Sequence, residues 1–118
     1  MEFGPYIREV RLARQKHSTE KRYSLRQVAE RIGIEPSYLS KIERGVLSPP
    51  SEATIVKISK ELNVDKDVLL AMAGKLSSDL REIIMARPQL FAQLLRELKT
   101  MPNDAILRIS REVVDGNW

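Results

Sequence analysis

Residues 24–45, SLRQVAERIGIEPSYLSKIERG, constrain the fold of this chain more than any other stretch. Ser24 is a favourable N-cap, and Val28, Ala29 and Ile32 after it share one helical face. Gly33 falls where that helix must stop and reverse, because glycine enters the left-handed region without a steric cost. Pro36 suits the first position of a second helix, where a missing N–H costs nothing. From that helix Leu39 and Ile42 point inward, Ser37, Lys41 and Arg44 share the outer side, and Gly45 closes it. The pattern predicts two short helices joined by a tight turn, with the small Ala29 at their crossing. A plain helical hairpin uses the same devices.

Beyond this pair the composition sets limits. With 118 residues, the chain suffices for one domain, or a small domain with an appendage. A formal net charge of +4 suits a polyanionic partner without requiring one. Cysteine is absent, which excludes a disulfide framework or thiolate metal site and points to a reducing cytoplasm. No apolar run approaches the roughly 20 residues that span a bilayer, and no signal-peptide pattern opens the chain. His17, the single histidine, has no triad or metal partner in view, and the five glycines form no phosphate loop. The expectation is a protein that is not an enzyme and holds no cofactor or metal.

The sequence has the layout of a DNA-reading helix-turn-helix. Residues Ser24 to Ala29, Ile32-Gly33, the run YLSKIERG at 38–45, and Pro50-Ser51 carry a family likeness. On these the segment resembles the Xre family of helix-turn-helix regulators, the group with the lambdoid phage repressor and Cro DNA-binding domains. The likeness covers about residues 5–74. It implies an all-α, five-helix domain whose third helix enters the major groove.

The first helix is expected from Gly4-Pro5 to about Lys16, with Ile7, Val10, Leu12 and Ala13 on its apolar side. Arg8, Arg11 and Arg14 recur every three residues, either as a solvated face or as a functional stripe, and the resemblance implies that Arg14 pairs with Glu43. Residues 17–23 form a longer loop than relatives carry. Its basic members, with Lys16 and His17 beside Lys21 and Arg22, either grip DNA phosphates and the adjacent minor groove or are ordinary solvated charges. After a proline-bearing loop, Ser51 caps a helix over 52–62 with Ala53, Ile55, Val56, Ile58 and Leu62. Asp65 caps another with Val68, Leu69, Leu70 and Met72, which Gly74 ends. Residues 1–74 thus read as a DNA-binding domain.

Residues 75–118 read as three further helices. Ser77 or Ser78 caps the first, with Leu80, Ile83 and Ile84. Pro88 opens the second, with Leu90, Phe91, Leu94, Leu95 and Leu98. The third holds Ile106, Leu107, Ile109, Val113 and Val114, with Trp118 at the end. So much apolar surface on short helices packs back on the first domain or pairs with another chain. Dimerisation is favoured, through Leu90, Phe91, Leu94, Leu95 and Leu98.

Matched residue by residue, the resemblance implies base contacts at Pro36, Ser37 and Lys41. Many relatives carry glutamine or arginine at the first two, so direct readout here is sparse. Lys41 is the main candidate, at guanine O6 and N7, with groove shape supplying part of the specificity. Phosphate contacts fall on the helix start at Leu25, Arg26 and Gln27, then on Arg44, Ser48, Lys21 and Arg22. Gln27 is also placed to brace the recognition helix. Tyr38 either packs or offers its hydroxyl to a phosphate. Glu35 departs from the usual serine or threonine, and is compatible with DNA if it caps the helix and turns away.

The expectation is a bacterial or phage transcriptional regulator in the cytoplasm, a homodimeric repressor occluding a promoter at a palindromic double-stranded operator. The alternative is an antitoxin or regulator whose C-terminal helices bind a partner protein. A third reading, a helix-turn-helix adaptor without DNA binding, rests on Pro36 and Glu35 alone.

Overall fold

The computed structural model of the chain describes residues 2–20 and 22–116. These form eight α-helices and no strand: α1 (Phe3–His17), α2 (Leu25–Ile32), α3 (Pro36–Glu43), α4 (Glu52–Leu62), α5 (Lys66–Met72), α6 (Ser78–Ala86), α7 (Pro88–Leu98) and α8 (Asn103–Asp115). The protein is all-α and divides into two compact units, Met1–Ser78 and Asp79–Trp118.

In the first unit every helix contributes to one apolar core. Ile7, Val28, Ala29, Leu39, Ile42, Ile55, Ile58, Leu62, Leu69 and Leu70 are its most buried members. Local chemistry sets the helix ends. Ser51 accepts the Thr54 N–H, and the Asp65 carboxylate accepts from the N–H groups of Asp67 and Val68. Asn63 takes the left-handed conformation that ends α4, with φ 55°.

The inner side of α1 differs from expectation. Leu12 and Ala13 are exposed, and the buried stripe is Phe3, Gly4, Ile7 and Arg11. A 3.6-residue period running from Phe3 through Ile7 reaches Arg11, so Leu12 and Ala13 turn outward. The stripe needs a glycine: a Cβ on Gly4 would stand 2.2 Å from the Ile42 carbonyl oxygen. Ala53 and Val68 are likewise exposed on α4 and α5.

Residues just past Gly74 remain attached to the first unit. Lys75 Nζ donates to the Pro50 carbonyl at 2.9 Å. The Ser78 N–H and hydroxyl both donate to the Glu52 carboxylate, at 2.8 and 2.9 Å. The Ser77 hydroxyl is buried and makes no hydrogen bond, so it does not cap α6.

The second unit has another character. None of the residues of α6, α7 and α8 is buried, and Leu90 and Val114 are 64% and 80% exposed. Charge is also divided unevenly. Residues 1–78 hold fourteen Lys and Arg against ten Asp and Glu, whereas residues 79–118 hold six of each. The basic excess belongs to the first unit.

Candidate nucleic-acid interface

The helix pair is built as its residues dictate. The Ser24 hydroxyl oxygen accepts the Gln27 N–H at 3.2 Å, while the Ser24 N–H and hydroxyl donate to Gln27 Oε1 at 3.4 and 2.7 Å. This reciprocal cap leaves the N–H groups of Leu25 and Arg26 at the helix start, where the macrodipole favours an anion. Through this cap the Gln27 side-chain oxygen turns back on Ser24. At the far end Gly33, with φ 78°, reverses the chain.

Pro36 occupies the first turn of α3. Leu39, Ile42 and Glu43 are buried beneath the helix, while Ser37, Lys41 and Arg44 are exposed. Pro36, Tyr38 and Ser40 are half-buried at its edges. The Lys41 side chain makes no hydrogen bond or ion pair among the described residues, so its ammonium group is available to a ligand. Arg44, the C-cap of α3, reaches Ser40 Oγ with its Nε at 3.3 Å. Glu35 stands at the N-cap position, exposed, and its side chain makes no capping bond. Beyond Gly45 the N–H groups of Val46 and Leu47 both donate to the Lys41 carbonyl, at 2.9 and 3.3 Å, and Ser48 lies exposed after them.

What holds α3 from behind is Arg11, not Arg14. Arg11 Nε and Nη2 donate to Glu43 at 2.8 and 2.9 Å, and Nη1 donates to the Tyr23 carbonyl at 3.1 Å. Arg11 continues the Ile7 stripe that faces α3. Arg14, one turn further on, faces the end of α4 instead, where it donates to the Leu62 and Asn63 carbonyls at 3.0 and 3.3 Å. The implied pairing of Arg14 with Glu43 is therefore corrected.

The loop between α1 and α2 is anchored at its end. Arg31 pairs with Glu61, donates to the Arg22 carbonyl, and its guanidinium lies 5.4 Å from the Tyr23 ring centre. Arg22 itself is exposed; Lys21, the other basic candidate there, lies outside the described residues, as does Trp118. Tyr23, Arg31 and Glu61 escaped sequence reasoning because their contacts join residues far apart in the chain, with no periodicity to betray them.

On the candidate dimer face, Leu90, Leu94 and Leu95 are exposed and Phe91 and Leu98 half-buried along α7. Among the described residues no metal-holding cluster occurs, and no helix is long and apolar enough to cross a membrane.

A supporting helix capped at its start, a glycine reversal and a second helix with a buried inner face define a helix-turn-helix domain. The chain belongs to the helix-turn-helix family of Xre/Cro-like type, whose model matches residues 7–69. It is 42% identical over 66 residues to an uncharacterized HTH-type transcriptional regulator of Mycobacterium tuberculosis, covering 52% of this chain and 46% of the relative. It is 42% identical over 55 residues to the HTH-type transcriptional regulator SinR of Bacillus subtilis, covering 47% and 50%. RghRB of Bacillus subtilis, another uncharacterized HTH-type regulator, is 36% identical over 81 residues, covering 69% and 53%. The chain thus spans about half the length of the curated relatives it matches. A solved structure titled SinR protein/SinI protein complex is 28% identical at a TM-score of 0.49, covering 82% of this chain and 94% of that chain.

Proposed function

We propose that this protein is a sequence-specific, double-stranded-DNA-binding transcriptional regulator, a homodimeric repressor that occludes a promoter at a palindromic operator. The observation that carries this reading is the division of α3 into a buried inner face and an outer face with Ser37 and the unengaged Lys41. The relatives named as HTH-type transcriptional regulators support it. Lys41 reads guanine through O6 and N7, Ser37 bonds a neighbouring base, and Pro36 offers apolar contact to a thymine methyl. Leu25, Arg26 and Gln27 hold one backbone at the start of α2. Arg44, Tyr38 and Ser48 hold the other flank, with Arg22 and Lys21 reaching further phosphates.

Residues 1–74 carry the DNA contacts and residues 75–118 the pairing. One domain touches few base pairs. Two copies on a two-fold axis read half-sites one helical turn apart and gain affinity through effective concentration. The exposed apolar face of α7 and the balanced charge of residues 79–118 favour a protein partner there, and a second copy supplies it. Selecting bound duplexes from a random pool tests the reading. Palindromic sites with half-sites about 10 base pairs apart are expected, and an unenriched pool would contradict it.

A further inference from the structure

The arginine stripe of α1 has three different fates. Arg11 is consumed by Glu43 and Arg14 by the end of α4. Arg8 is exposed and its guanidinium makes no hydrogen bond or ion pair among the described residues. It lines an open groove of about 690 Å³ between α1 and α3, together with Glu9, Leu12, Leu25, Ser40 and Arg44. Arg11 and Glu43 form the floor, and their charges satisfy each other. The groove therefore offers two guanidinium groups, Arg8 and Arg44, against the single carboxylate of Glu9. It is also continuous with the outer side of α3, because Arg44 lies one turn from both Ser40, which lines the groove, and Lys41, which is exposed beside it.

We infer that this groove is a phosphate clamp in which Arg8 of α1 and Arg44 of α3 close on one backbone phosphate of bound duplex. The inference rests on the DNA-binding reading above and extends its footprint to the first helix. Arginine suits this task because its planar fork meets two phosphate oxygens at once. A phosphate contact carries no base information, so Arg8 sets register and affinity without altering sequence preference.

The test is duplex affinity against salt for the full chain, Arg8→Gln and Lys57→Gln, using a random-sequence duplex and the selected operator. Lys57 is exposed on α4 and removes the same formal charge away from the groove. Thermal unfolding of Arg8→Gln should match the parent, since Arg8 has no partner to lose. The clamp predicts that Arg8→Gln lowers the slope of log K against log salt by about 0.9, equally on both duplexes, while Lys57→Gln leaves it unchanged. An unchanged slope for Arg8→Gln overturns the clamp and leaves the DNA-binding reading standing. An equal fall for Lys57→Gln also overturns it, because net charge then explains the effect. A parent protein with no salt-dependent duplex binding overturns both.

Discussion

Arg11 grips Glu43 with two prongs of its guanidinium, Nε to Oε2 at 2.8 Å and Nη2 to Oε1 at 2.9 Å, and so fastens α1 to the last turn of α3. The two residues are only 7% and 3% exposed. Removing one partner leaves the other charged and largely buried without its counter-ion, which costs far more than the pair itself contributes. Glu43→Ala should therefore lower stability by about 3–5 kcal/mol. Replacing both, as Arg11→Met with Glu43→Leu, should recover most of that loss. Chemical denaturation of the three variants checks this; a double variant no more stable than Glu43→Ala would mean that the hydrogen bond to Tyr23 carries the effect.

The contact between α1 and α3 also depends on Gly4. A Cβ there meets the backbone oxygens of Ile42 and Glu43, at 2.2 and 2.9 Å, neither of which can swing away. Gly4→Ala should cost about 1–3 kcal/mol through overpacking. Gly33→Ala faces open space but keeps a φ of 78°, so its cost is strain alone, about 1–2 kcal/mol. Melting curves check both. The distinction appears in Gly4→Ser, which should be worse than Gly4→Ala, whereas Gly33→Asn should be milder than Gly33→Ala because asparagine tolerates the left-handed region.

Changing Leu94 and Leu95 together to glutamate should produce monomers whose first unit stays folded, since the core of that unit is built from its own helices α1 to α5. Sedimentation and circular dichroism read the two properties separately. Operator affinity should fall steeply, because two tethered half-sites become two independent ones. A dimer that survives the change would move the interface to another face.

Much of the helix pair was legible because local chemistry decides it. Ser24, Gly33, Pro36, Ser51 and Asp65 each answer to a backbone demand within a few residues, and periodicity sorted Leu39 and Ile42 from Lys41. α1 was harder. Its start at Phe3 lay one residue before the expected one, and its buried stripe includes a charge, so hydropathy placed Leu12 inside where Arg11 belongs. Whether Arg11 or Arg14 reaches Glu43 depends on how α1 crosses α3 and α4, which spacing within α1 does not encode. The link from Arg31 to Glu61 and Tyr23 is equally tertiary. In the C-terminal helices, sequence patterning located the apolar faces, but an apolar face does not name what covers it.

The central claim is that α3 lies in the major groove with Lys41 at a guanine. Methylation protection at guanine N7 on the selected operator, compared between the parent and Lys41→Ala, tests it directly. The account predicts protection of one guanine in each half-site by the parent and its loss in Lys41→Ala, with affinity lower by about 1–3 kcal/mol and base preference relaxed at that position alone. Protection that persists in Lys41→Ala, or affinity that falls equally on every sequence, would make Lys41 a phosphate ligand and contradict the assignment.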